Sequence, residues 1–250
     1  AVENFPNRDA SKVEIRDIKQ DTMVGYSVET IIEHLDAVVN SQLEDELGTV
    51  KPLTDVIYAG VIRGAAGVVG CNNPKQQHDY AHITVMEELI KRDVICVVTG
   101  CAAQAAAKAG LLTLEAKDKC GRGLKEVCER VNIPPVLHMG SCVDISRILH
   151  IVNLCADQRG VDPALLPVVG IAPEWMSEKA VSIGNYVVGT GIDTFLGVDP
   201  YVEGSDQMGQ LLTEGTRQWT GAAYTVEKDI DKLVDLMIER IEEKRTALGI

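Results

Sequence analysis

The apolar positions of the chain change their period from one end to the other. In SVETIIEHLDAVVNSQL (27–43) they fall at 28, 31, 32, 35, 38 and 39, the spacing of one helical face, with Ser27 as N-cap. PLTDVIYAGVI (52–62) opens on proline and predicts a second short helix. An alternation then sets in. The short apolar runs AAGVVG (65–70), VICVVTG (94–100), PVLHMG (135–140) and LPVVGIA (166–172) predict strands. Between them, DYAHITVMEELIKR (79–92), CAAQAAAKAGLL (101–112), GLKEVCERV (123–131) and DISRILHIVNLCADQRG (144–160) predict helices. SEKAVSIGNYVVGTG (177–191) reads as a short helix turning into a strand. After FLGV (195–198), two helices around 205–217 and 226–247 close the chain. The prediction is an α/β fold: a Rossmann-like, doubly wound parallel sheet with helices on both faces over residues 26–250. Residues 1–25, polar and irregular, read as an arm or linker.

Charge and composition narrow the function. The 250 residues carry 37 acidic side chains against 24 Lys and Arg, a formal charge of −13, which argues against nucleic acid or an anionic membrane as partner. Aromatic residues make up only 4%, too few for a base-stacking platform. No apolar run approaches a membrane span, and the charged first twenty residues do not read as a signal peptide. Seven cysteines, an odd number without the density of a disulfide scaffold, point to a reducing cytoplasm and to metal binding or burial.

Three of those cysteines share a context. Gly70-Cys71, Gly100-Cys101 and Gly140-Ser141-Cys142 each follow a predicted strand at its carboxyl end, where open α/β sheets bind ligands. Each is also expected to precede a helix, Asn72-Asn73-Pro74 forming cap and first turn after Cys71, so that unpaired N–H groups favour a thiolate. Three thiolates on one edge would suit an iron–sulfur or other soft-metal centre. The residues alone leave the other reading open, in which they are small buried hydrophobes, as Cys96 inside VICVV is taken to be. Cys120, Cys128 and Cys155 lack the glycine and read as core or surface thiols. No CxxC pair, no GxGxxG after a strand, no P-loop and no GxSxG elbow occurs. His78 and His82, four apart, are expected to be solvated. His138 is expected to be structural, with a proton relay as the sharper alternative.

At these residues the chain resembles the anaerobic nickel–iron carbon monoxide dehydrogenases, in their C-terminal third. The matching stretches are VGYSVE (24–29), GCNNPK (70–75), TGCAAQAAAKAGLL (99–112), PPVLHMGSCVDISR (134–147) and PEWMSEKAVSIG (173–184), in family order. The resemblance implies that Cys71 and Cys101 ligate irons of the active-site cluster and Cys142 its nickel. It implies that Lys179 hydrogen-bonds the bound carbon dioxide unit and moves protons, and that Ile183 crowds the open nickel position. Without it, Lys179 reads as a surface lysine and Ile183 as core.

The reaction implied is CO plus water giving CO2, two protons and two electrons. The resemblance also implies a ferredoxin-like electron carrier, a homodimer, and an acetyl-CoA synthase or nickel-insertion partner. Family members carry upstream [4Fe–4S] clusters, and a middle domain gives a histidine and two more cysteines to the active-site cluster. The chain is therefore expected to be the third domain alone, inactive in isolation. Two alternatives stand beside this reading: a hybrid-cluster (hydroxylamine reductase-like) protein, and a cluster-free interaction module kept for dimer contacts, whose amphipathic last helix, KDIDKLVDLMIERIEEKR (228–245), packs on the sheet or on a partner.

Overall fold

The computed structural model describes residues 3, 5–7, 9–12, 25–39, 48–202 and 204–250. Most of the arm expected over 1–25 lies outside the described residues, as do residues 40–43 of the first predicted helix. Helix α1 (Val28–Val39) turns Val28, Ile31 and Leu35 inward, and the Ser27 hydroxyl accepts from the Thr30 N–H at 3.1 Å, the expected cap. α2 (Lys51–Tyr58) carries Pro52 in its first turn.

Strands and helices then alternate as β1 (Gly64–Val68), α3 (Tyr80–Lys91), β2 (Val94–Val98), α4 (Gly100–Lys108), α5 (Arg122–Val131), β3 (Val136–His138), α6 (Ile145–Arg159), β4 (Val168–Ala172), α7 (Glu178–Gly189) and β5 (Thr194–Leu196). α8 (Asp206–Gln210), a π-turn over Leu211–Gly215 and α9 (Thr216–Thr220) lead to β6 (Tyr224–Val226) and α10 (Ile230–Leu248).

The strands pair in the order β3-β2-β1-β4-β5-β6, every pair parallel. Every residue of β2 and β4 is buried, as a sheet covered on both faces requires. α3, α4 and α10 cover one face; α1, α2, α6 and α7 lie over the other. The chain winds outward from β1 through β2 to β3, then returns to add β4, β5 and β6 on the opposite side. That reversal leaves a crevice between the carboxyl ends of β1 and β4.

Three segments depart from the prediction. Residues 177–191 form no strand: Ala180, Ile183, Gly184, Val187 and Val188 keep helical spacing, and β-strand preference at the two valines yields to it. The sixth strand, Tyr224–Val226, has no counterpart in the prediction, and the last helix, expected from residue 226, starts later. α10 begins only at Ile230, where the Asp229 carboxylate accepts from the Asp231 and Lys232 N–H groups. Residues 72–79 are loop, so Pro74 opens no helix and Cys71 does not precede one directly. The amphipathic helix expected over 228–245 buries Leu233, Val234, Met237 and Ile241 in the core, each worth about 1.5–3 kcal/mol of burial, and has no free apolar face to offer. No helix among the described residues is long and apolar enough to cross a membrane.

At the amino ends of the strands, Asp193, 1% exposed, accepts from Arg240 Nε at 2.7 Å and Arg217 Nη2 at 2.9 Å, with Lys244 Nζ 3.6 Å away. Burial pushes the Lys244 ammonium down to about 8, against the pull of Asp193. Below that value both folded and unfolded chains hold the proton. Between about 8 and the unfolded value near 10.5 only the unfolded chain does, so Lys244 makes stability rise with pH in that window. Comparing urea midpoints of wild type and Lys244→Met across pH 7–10 is expected to show this rise in the difference, with a slope approaching about 1.4 kcal/mol per pH unit.

Candidate metal centre

Each predicted ligand stands one turn beyond the strand that carries it. Cys71 follows β1, Cys101 lies in the first turn of α4 after β2, and Cys142 follows β3 just ahead of α6. All three are free thiols and half-buried, whereas Cys96, Cys128 and Cys155 are buried. Burial raises the Cys96 thiol well above its ordinary range and the Cys155 thiol to about 12, so these two are inert, as expected.

Gly100 and Cys142 show how closely the turns abut. Gly100 has φ 58°, and a Cβ there would sit 2.7 Å from the Cys142 Cβ, while its N–H donates to the Gly140 carbonyl at 3.1 Å. Only glycine meets both conditions. The turn carrying Cys101 is thereby pressed against the one carrying Cys142.

A cation closes the arrangement from the far side of the crevice. Lys179, in the first turn of α7 after β4, donates from Nζ to Cys142 Sγ at 2.8 Å. A lysine at a helix N-terminus opposes the helix dipole. Here the hydrogen bond to Cys142 and its charge, then the charges of Cys71 and Cys101, favour its ammonium and hold its pKa above the ordinary value. Lys179, Cys71 and Cys142 line one cavity, and the turn of Cys101 abuts that of Cys142, so the three thiols gather at one edge of the sheet. Two residues before Lys179, the Ser177 hydroxyl lies 3.9 Å from Cys71 Sγ.

Ile183, one helical turn beyond Lys179, lines an apolar cavity of about 60 Å³ together with Cys71, Cys142, Ile145 and Val187. A second apolar cavity of about 290 Å³, under α1 and α2 on the same sheet face, shares Ile148 and Val168 with the first.

Among the described residues no three His, Cys, Asp or Glu side chains close on a single metal ion. A mononuclear zinc-type site, whose ligands crowd one ion, does not match these thiols. A polynuclear sulfide cluster takes its thiolates on different metal atoms and needs them farther apart. Soft donors spaced around a cation-capped space fit such a group.

The histidines are divided. His78 is exposed and precedes α3, but His82 is fully buried rather than solvated, with Nε2 2.9 Å from the Cys71 carbonyl oxygen. Burial pushes the His82 imidazole below its ordinary range. His138 is half-buried, its Nε2 3.0 Å from the Gly140 carbonyl oxygen, in keeping with a structural role in the turn before Cys142.

Fold and site together define a Rossmann-like domain with three half-buried thiols and a lysine at the carboxyl edge of its sheet. The chain belongs to the Prismane/CO dehydrogenase family, whose model matches residues 1–231. Carbon monoxide dehydrogenase 1 of Methanosarcina mazei is 52% identical over 250 residues, covering 100% of this chain and 38% of its own length. The nickel-free carbon monoxide dehydrogenase of Thermococcus sp. AM4 superposes with a TM-score of 0.85 at 48% identity, over 99% of this chain and 38% of that one. A chain of an acetyl-CoA synthase/carbon monoxide dehydrogenase whose alpha subunits hold NiZn[Fe4S4] and NiNi[Fe4S4] clusters gives a TM-score of 0.81 at 38% identity, over 90% of this chain and 34% of that one. The chain thus spans well under half the length of the relatives it matches.

In the full-length protein carrying this chain, Gly100→Ala is expected to push Cys142 out of line and to lower the metal retained several-fold without altering helix content. Elemental analysis and circular dichroism of the same samples check this.

Proposed function

We propose that the chain is the third, cluster-binding domain of an anaerobic carbon monoxide dehydrogenase, with Cys71 and Cys101 on irons and Cys142 on nickel. In the whole protein the reaction interconverts CO and water with CO2, two protons and two electrons. The observation that carries this reading is the Lys179 ammonium bonded to Cys142 at the rim of an apolar cavity that Cys71 also lines, with the turn of Cys101 pressed against that of Cys142. The nickel–iron–sulfur group, when bound, supplies a thiophilic site for CO and a store for two electrons.

The chain's own residues do the rest. Lys179, protonated at neutral pH, stabilises negative charge that develops on oxygen as water adds to the carbon, and passes a proton at Nζ. Ile183, Ile145 and Val187 form a wall that admits a small, weakly polar gas and turns water away. Three thiolates are an incomplete ligand set by this reading, so the domain alone neither assembles the centre nor turns over. A ferredoxin-like electron carrier, a second copy of the chain and a cytoplasmic setting belong to the same proposal. So does an acetyl-CoA synthase partner, in line with the composition of the related complex.

The test uses the full-length protein carrying this chain, purified without oxygen. Wild type is expected to contain iron and nickel and to reduce a viologen dye with CO. Cys142→Ser loses nickel and activity together. Lys179→Ala keeps its metals and slows by about 10²-fold or more. A nickel-free wild type, metal retention after joint replacement of the three cysteines by serine, or an undiminished Lys179→Ala rate each overturns the reading.

A further inference from the structure

The loop that presents Cys71 has no regular secondary structure, yet its peptide planes are held from several sides. The last ladder bond of β1 runs from the Val69 N–H to the Ile171 carbonyl at 2.9 Å. Gly70 follows with φ 108°, where a Cβ would sit 3.2 Å from that of Ala172. Beyond Cys71, Asn73 donates from Nδ2 to the Trp175 carbonyl at 3.2 Å and accepts the Lys75 N–H at 3.0 Å. Asn72 donates to Asp79 Oδ1 at 3.1 Å. The carbonyl of Cys71 itself is bonded by His82, 0% exposed, at 2.9 Å. A carbonyl only accepts, so His82 Nε2 carries the proton and donates. Helix α3, which carries His82, is docked in turn by Glu174, also 0% exposed, whose Oε1 accepts the Ala81 N–H at 3.0 Å.

A buried imidazole is costly to place unless it does something that an apolar side chain would not. Packing alone does not explain this one. Val85, Met86 and Leu89 fill the same helix's inner face with apolar groups, and His82 spends its one N–H on the backbone of Cys71.

We propose that His82 is a positioning residue for Cys71: its Nε2–H holds the Cys71–Asn72 peptide plane so that the thiolate is aimed before any metal arrives, with Glu174 fixing the helix that presents it. The inference rests on the reading of Cys71 as a cluster ligand and adds to it a residue that the motif around Cys71 does not contain. Partners standing behind metal ligands in this way change metal affinity by about 10–100-fold when removed.

The experiment compares full-length wild type, His82→Met, His82→Gln and Glu174→Gln, purified without oxygen. Glutamine at 82 keeps an N–H near the position of Nε2; methionine keeps volume and loses the donor. Iron and nickel per chain are followed during exposure to a chelator, and the electron paramagnetic resonance spectrum and midpoint potential of the cluster are recorded. His82→Met is expected to lose metal about 10–100-fold faster and to shift both spectrum and potential, with His82→Gln returning close to wild type. Glu174→Gln keeps the Oε1 acceptor and is expected to match wild type.

A folded His82→Met indistinguishable from wild type overturns the proposal, and so does His82→Gln failing as badly as methionine. Should His82→Met not fold, the glutamine variant decides alone: wild-type retention, spectrum and potential support the donor role, and their loss refutes it. A wild type without any cluster defeats the functional reading itself, a result distinct from all of these.

Discussion

The site turns on one contact, the Lys179 ammonium against the Cys142 thiol, beside two further thiols that arrive on neighbouring strands. The sheet makes this inevitable once its order is set. Strands β1, β2 and β3 run outward on one side and β4 returns beside β1, so the turns after all four open on the same crevice. Thiols come from the first three turns and the cation from the fourth. Lysine at the start of α7 would weaken an isolated helix; facing thiolates, it is favoured instead. Three half-buried soft donors at one sheet edge suit a multi-metal sulfide group, which takes its thiolates on different metal atoms.

Much of this was legible in the amino-acid order because the rules involved are local. Apolar runs ending in glycine mark strand ends, and the parallel architecture carries strand ends to one edge, so Cys71, Cys101 and Cys142 could be singled out without coordinates. Their convergence with Lys179 was not legible in the same way. The Lys179–Cys142 contact spans 37 residues and depends on the register of β4 against β1, which no local pattern encodes. His82 was misjudged for a related reason. Its spacing from His78 suggested a shared solvent face, but α3 starts at Tyr80, so the two are not on one helix. Its burial is set partly by a carboxylate 93 residues from Ala81. The short sixth strand escaped notice because Tyr224–Val226 offers too few residues for a period to show.

The motif pairs in the sequence acquire separate physical meanings. GCNNPK and PEWM touch: Asn73 reaches the Trp175 carbonyl and Glu174 reaches the start of α3, so the loop of Cys71 is bolted to the end of β4 as well as to its own neighbours. HMGSC and TGC touch through the Gly100–Cys142 approach. Two rigid pairs, one across the β1/β4 crevice and one across β2/β3, therefore carry the three thiols. Rigidity of this kind lets the chain present ligands in advance instead of relying on a metal to gather them.

The weakness of the Lys179 contact, taken by itself, says where the rest of the site's leverage must come from. An exposed ion pair contributes little, because water screens it. Lys179 is exposed in this chain, with apolar residues only behind it, at Ile183, Ile145 and Val187. Electrostatic work on a reacting molecule becomes large only when water is removed from the other side as well. On the proposed reading, the chain supplies the charge and the inner wall of the pocket. A covering surface on the open side is the remaining physical requirement, and it would convert a weak surface contact into a strong internal one.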